Sequence, residues 1–177
     1  MNTRPVLTIA GIGAILLAVT GCASRDDAAI PAARCTAPPF PHPYTAVDAC
    51  AADEVLTTAV ARIFSRPFEQ RDPTTSFESA APLLTDDYRE RVGNSAIVLG
   101  GRIVGALSLQ EPTAVRVTAT ARVTEDDHPP DTDTSVSRVI ALDQHLGDGP
   151  THHSSVYARV VRAGPKHPWL LDQLEVH

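Results

Sequence analysis

The chain of 177 residues contains one lysine, Lys166, and more acid than base: 15 Lys and Arg against 21 Asp and Glu, a net charge of −6. That balance argues against attraction to nucleic acid or an anionic lipid surface through bulk charge, since both need a positive field. The first apolar run, VLTIAGIGAILLAV over residues 6–19, is shorter than the ~20 residues that a membrane-crossing helix needs. No G-x-S-x-G is present, so a serine nucleophile on a strand-to-helix elbow has no support. The only dinucleotide-like glycine pattern, GIGAIL, lies inside that opening run, and no phosphate loop occurs. There is no internal repeat. Cysteine is scarce too: Cys22, Cys35 and Cys50.

What is there begins with the opening segment. Arg4 and the free amino terminus precede the apolar run, as in a secretory signal. The run ends at Val19-Thr20-Gly21-Cys22, which resembles the bacterial lipobox. In that family the signal is cut before the cysteine, and the thiol takes a diacylglycerol. A thiolate is a strong nucleophile near neutral pH, which suits it to accept a lipid as a thioether. Stable anchoring takes two lipid signals, at ~0.8 kcal/mol per buried CH2; a diacylglycerol with a third chain, such as palmitate, on the new amino terminus is ample. The alternative is a plain secreted protein with an incidental Cys22. The resemblance implies a signal peptide over 1–21, a lipid on Cys22, and a place on the extracytoplasmic face of the cell membrane.

An odd cysteine in an exported protein leaves one thiol over. With Cys22 lipidated, Cys35 and Cys50 remain, and an oxidising compartment lets them pair. The loop so closed contributes ~3 kcal/mol in the chain-entropy model. The alternative is two free thiols; the spacing matches no zinc pattern. Removing residues 1–21 takes away Arg4 alone and leaves 14 basic against 21 acidic residues, a net of −7. Residues 22–47, rich in alanine and proline, read as a lipidated tether, with one folded domain over 48–177.

Within that domain, Ala51, Val55, Leu56, Ala59, Val60, Ile63 and Phe64 recur at helical spacing and predict a long first helix. Asp48 is placed to cap it, and Pro67 to end it. Ser76 and Thr85 read as caps of two short helices, FESAA and DDYRERV, with Gly93 as a stop. Gly100, Gly101 and Gly105 argue against a helix over 96–109, and an irregular strand near 102–109 is expected. Strict alternation then predicts strands over 115–124, 135–144, 155–163 and 169–176. Short loops between them give an antiparallel meander. The expected fold is α+β: a long N-terminal helix and short helices packed on a curved antiparallel sheet of about four strands.

The order of elements, the segment SFESAAPLLTDDY and the closing PWLLDQLEV resemble the nuclear-transport-factor-two-like and cystatin-like cones of Gram-positive envelope proteins. The resemblance covers 48–177. With the anchor, the tether and the lack of a reactive constellation, it points to a non-catalytic binding or assembly module, with an envelope protein partner and a role accessory to a membrane transport or secretion machine. It also implies two alternatives: a carrier or sensor of a small apolar ligand between helix and sheet, or a cone-type isomerase-like enzyme.

Enzymes of that shape keep an acid, histidine or tyrosine in the pocket, so Tyr88, Tyr157, Asp143 and His145 are the candidates. No spacing supports the reading: a packed ring explains Tyr88 and a solvated strand end explains Asp143. Asp126, Asp127, His128, Asp131 and Asp133 invite a hard cation. The calcium-loop glycine and distal glutamate are missing, and an exposed acidic hairpin loop is the simpler reading. His152 and His153 are neighbours that point apart in a strand, which makes poor chelation. Trp169 reads as a core residue. No catalytic residue, metal or cofactor is assigned.

Overall fold

Period-two patterning places four strands side by side in sequence order: β1 Val117–Val123, β2 Ser135–Leu146, β3 Thr151–Val161 and β4 Leu170–Val176, every neighbouring pair antiparallel. This is a computed structural model, and it describes residues 34–66, 73–93 and 116–176. The signal segment, Cys22 and the strand expected near 102–109 lie outside them. Among the described residues no helix is long and apolar enough to cross a membrane. The fold is α+β, with an open sheet.

The sheet has a covered face and a wet one. Val117, Ala119, Val136, Ile140, Leu142, Val156, Ala158, Val160, Leu171 and Leu174 are buried. Helix α1, Ala52–Phe64, lays Val55, Leu56, Ala59, Val60 and Phe64 on them. Each fully buried Leu, Ile or Val contributes ~2 kcal/mol relative to exposure. The helix expected to be long is 13 residues. It ends at Phe64, because Ser65 and Arg66 turn extended and Arg66 pairs with Val117 at the sheet edge.

Two expected caps move. Ala51, not Asp48, is the N-cap of α1. The Asp48 carboxylate instead accepts the Cys50 N–H at 2.8 Å, a local turn that competes with capping. Helix α2 spans Pro73–Ser79, so Ser76 lies inside it rather than at its start, and its hydroxyl donates to the Ser65 carbonyl at 2.6 Å. Proline fits that first position because the missing N–H would be unpaired anyway. Thr85 does cap α3, Asp86–Gly93: its hydroxyl oxygen accepts the Tyr88 N–H at 3.1 Å.

Residues 34–47 are not a tether. Cys35 and Cys50 form a disulfide. Phe40 and Tyr44 are buried in the same core as α1, and the Thr36 N–H donates to the Pro165 carbonyl. Proline content hid this, since a stiff irregular chain still buries its aromatic side chains when they face a core. Trp169 is buried beside the arm, its indole N–H donating to the Cys50 carbonyl at 3.2 Å.

At the β2–β3 turn, Gly147 has φ of 54°, the left-handed region that favours glycine. A Cβ on Gly149 would stand 2.9 Å from the Leu146 carbonyl oxygen. Between β3 and β4 the register shifts at Arg159/Val160, and Asp172 is the extra residue between Leu171 and Gln173.

Candidate functional site

The outer face of the sheet gathers some of the expected residues. In β2, Asp143 and His145 are two apart and share this face. Across the ladder, Asp143 faces His153 and His145 faces Thr151. The His153 Nδ1 lies 2.7 Å from an Asp143 carboxylate oxygen, and the Thr151 hydroxyl 2.7 Å from the His145 Nδ1. The hydrogen bond from His153 holds the Asp143 carboxyl below its ordinary value. His152 does not join, as alternation requires. Tyr157 sits opposite Val139, four residues or ~13 Å along β2 from Asp143. The cluster is open to solvent: the His153 side chain is 75% exposed.

Tyr88 is elsewhere, on α3. Its ring is buried against Phe77 at 6.0 Å between centroids, with the Arg91 guanidinium 5.8 Å from its centre. Burial pushes the phenol well above its ordinary pKa, so it stays neutral. Its hydroxyl has no hydrogen-bond partner among the described residues. Next to α3, Asp172 in the β4 bulge receives hydrogen bonds from Thr85 and Arg159, while Arg91 donates to its carbonyl at 2.7 Å. This knot, unforeseen in the sequence, ties α3 to the edge of β4.

The acidic loop after β1 is organised around Arg138. Its guanidinium donates to both Asp131 carboxylate oxygens, at 2.6 and 2.7 Å, and its Nε lies 3.0 Å from Asp53 in the first turn of α1. The hydrogen bond holds Asp131 below, and Arg138 above, their ordinary values. Asp126 accepts the Thr124 hydroxyl, and Arg162 donates to the Asp133 carbonyl. Among the described residues no three His, Cys, Asp or Glu side chains stand together as metal ligands.

The depression with mixed chemistry lies between α1 and β1. Thr57, Thr58, Ala61, Arg62 and Ser65 line one wall, Ala119, Thr120 and Ala121 the other, and Tyr44 of the arm one end; the volume is about 460 Å³. Positions 58, 61, 62 and 65 fall on one helix face by the i, i+3, i+4 rule. That polar stripe is legible in the sequence, though the apolar stripe beside it draws the eye. The Tyr44 hydroxyl donates to the Ser79 carbonyl at 2.7 Å. Burial raises its pKa, and the neighbouring Arg62 charge and hydrogen bond oppose the rise. The Arg62 Nε is buried without a hydrogen-bond partner, and no acid pairs with Arg62 among the described residues. The space between the apolar side of α1 and the sheet is filled by Val55, Leu56, Val60, Ile140, Leu142 and Val156, all without solvent exposure.

Comparisons with protein families, with characterised proteins and with solved structures found no match to this chain.

Proposed function

We propose that the protein is a lipid-anchored envelope protein, held on the extracytoplasmic face of the cell membrane through Cys22, and that it serves there as a non-catalytic binding or assembly module. The observation that carries the reading is Val19-Thr20-Gly21-Cys22 directly after a short apolar run. The Cys35–Cys50 disulfide supports it, because it occupies two of the three cysteines and leaves Cys22 for another bond. Disulfides also persist in exported compartments rather than reducing ones. Binding rather than catalysis is supported by the scatter of Tyr88, Tyr157 and the Asp143–His145 pair over three places, and by the burial of the Tyr88 hydroxyl. The partner on this reading is a protein of an envelope transport or secretion machine, as the cone resemblance implies.

Native mass spectrometry of the protein extracted from its own membrane in mild detergent tests this. The expected species begins at Cys22, carries the mass of a diacylglycerol, and brings a second protein with it. The Cys22→Ser chain should leave the membrane fraction. A chain cut elsewhere and free of lipid would overturn the anchoring. A lipidated chain found alone with a small bound molecule would replace assembly with carriage.

A further inference from the structure

The disulfide decides where a pull from the lipid enters the fold. It joins Cys35 to Cys50, which directly precedes Ala51, the N-cap of α1. The Thr36 N–H donates to the Pro165 carbonyl at 2.8 Å, and Phe40 and Tyr44 are buried. A pull that arrives at Cys35 therefore passes through the disulfide to the start of α1 and leaves the arm on the core. Twelve residues, 23–34, separate Cys22 from Cys35. Whatever conformation they take, the chain from Cys22 to Cys35 spans at most ~45 Å.

Cys35 lies at one end of the sheet. Pro165, which holds Thr36, belongs to the turn between β3 and β4. In the same turn the Arg162 N–H donates to the Thr134 carbonyl, just before β2, and the Trp169 N–H to the Ala49 carbonyl, just before α1. The β2–β3 turn is at the opposite end, because β2 runs 12 residues from Ser135 to Leu146, a rise of about 40 Å. Charge does not bring the disulfide end to the lipid. Arg34, Arg138, Arg162 and Lys166 lie there, but the 124–134 loop alone adds Glu125, Asp126, Asp127, Asp131 and Asp133. Arg66 and Arg116 stand at the other end, beside Val117. Turning that end to the bilayer would lift Cys35 by most of a strand length and draw residues 23–34 nearly straight. The conformational entropy so lost outweighs two arginines at a screened surface.

We infer that the domain rides with its disulfide end toward the bilayer. A protein embedded in the same membrane then meets the β3–β4 turn and the 124–134 loop, and the Asp143–His153 and His145–Thr151 pairs stand far from the lipid. This rests on the anchoring at Cys22, and it adds the orientation and the surface within reach of a membrane-embedded partner.

The test uses the one lysine. Lys166 is exposed and lies at the disulfide end, next to Pro165. An amine-reactive dye on it, in the full lipidated chain on phosphatidylcholine vesicles with acceptor-labelled headgroups, reports the height of that end by resonance energy transfer. A mass of one dye per chain checks the labelling. Lys166→Arg combined with Asp148→Lys moves the dye to the exposed β2–β3 turn. Transfer from Lys166 should exceed that from position 148 severalfold, because about 40 Å of strand separates the two ends. Added phosphatidylglycerol should not reverse the order. A Gly-Ser insert of about 40 residues between Ala33 and Arg34 should bring both signals down and together, since a longer coil lets the domain turn over. Equal transfer from the two positions without the insert means a domain that lies flat or tumbles, and overturns the proposal. Stronger transfer from position 148 overturns it by inversion. A difference that survives the insert overturns it too, because the short link would then not set the orientation. Flotation of the same vesicles separates the two readings. A chain that does not float has no anchor, which removes both; a chain that floats with equal transfer loses only the orientation.

Discussion

Residues 35–50 and residues 124–134 are both irregular, proline-bearing and adjacent to the core, yet they are held by different physics. The first stretch buries Phe40 and Tyr44, closes with the Cys35–Cys50 disulfide, and lies under Trp169. The second buries nothing large; Arg138 and Arg162 pin it through Asp131 and the Asp133 carbonyl. Apolar burial acts over every contact of a side chain and ignores salt and pH. An ion pair with a partly solvated partner depends on both and contributes less. The comparison therefore predicts an arm as durable as the core and a loop that responds to its solvent.

The sharpest way to break the contrast is Phe40→Ala. The side chain is 5% exposed, and its truncation should cost about 4 kcal/mol in a denaturant titration. A cost near zero would mean the arm is not part of the cooperative unit. Replacing Cys35 and Cys50 together by serine should cost about 3 kcal/mol, with the loss reproduced by reductant in the parent chain. On the other side of the comparison, Arg138→Ala should cost only about 1 kcal/mol. Its own side chain is 12% exposed, but Asp131 is 45% exposed and water replaces much of the pair. The loss should shrink in high salt, whereas that of Phe40→Ala should not.

The smallest effect is in acid. Hydrogen bonds from Arg138 hold the Asp131 carboxyl below its ordinary value in the folded chain. A group whose folded pKa is depressed stabilises the fold above its unfolded value, about 4, and loses that contribution as pH falls through the folded value. Between pH 5 and pH 2 the parent chain should thus lose slightly more Tm than Asp131→Asn. Equal slopes would show that the loop pin contributes nothing to folding.

Much of the fold was legible because local rules suffice where the environment is uniform. Alternation in VRVTATARVT and SVSRVIALDQ marks strands whose two faces see core and water. The stripe from Val55 to Phe64 marks a helix on one surface, and Thr85 caps α3 because only its own neighbours are involved. Failures came where another partner, near or distant, competes. Asp48 bonds its own turn, Ser76 bonds Ser65 eleven positions earlier, and the prolines around Phe40 read as a loose tether. Neither Arg138, joining Asp53 to Asp131, nor Asp172, joining α3 to β3, shows in any local spacing.

By itself the sequence determined the α+β class, the meander and its register-defining alternation, because side-chain period and chain order fix which face of each element is apolar. It also carries the lipobox resemblance, since that signal is a contiguous string. Only the tertiary structure decided that residues 34–47 belong to the domain, that Tyr88 on α3 is buried against Phe77, and that the end of α1 bonds the backbone of Val117 and Ala119 in β1. These depend on which groups far apart in the chain meet, and hydrogen bonds and burial between distant groups leave no periodic trace in the order of residues.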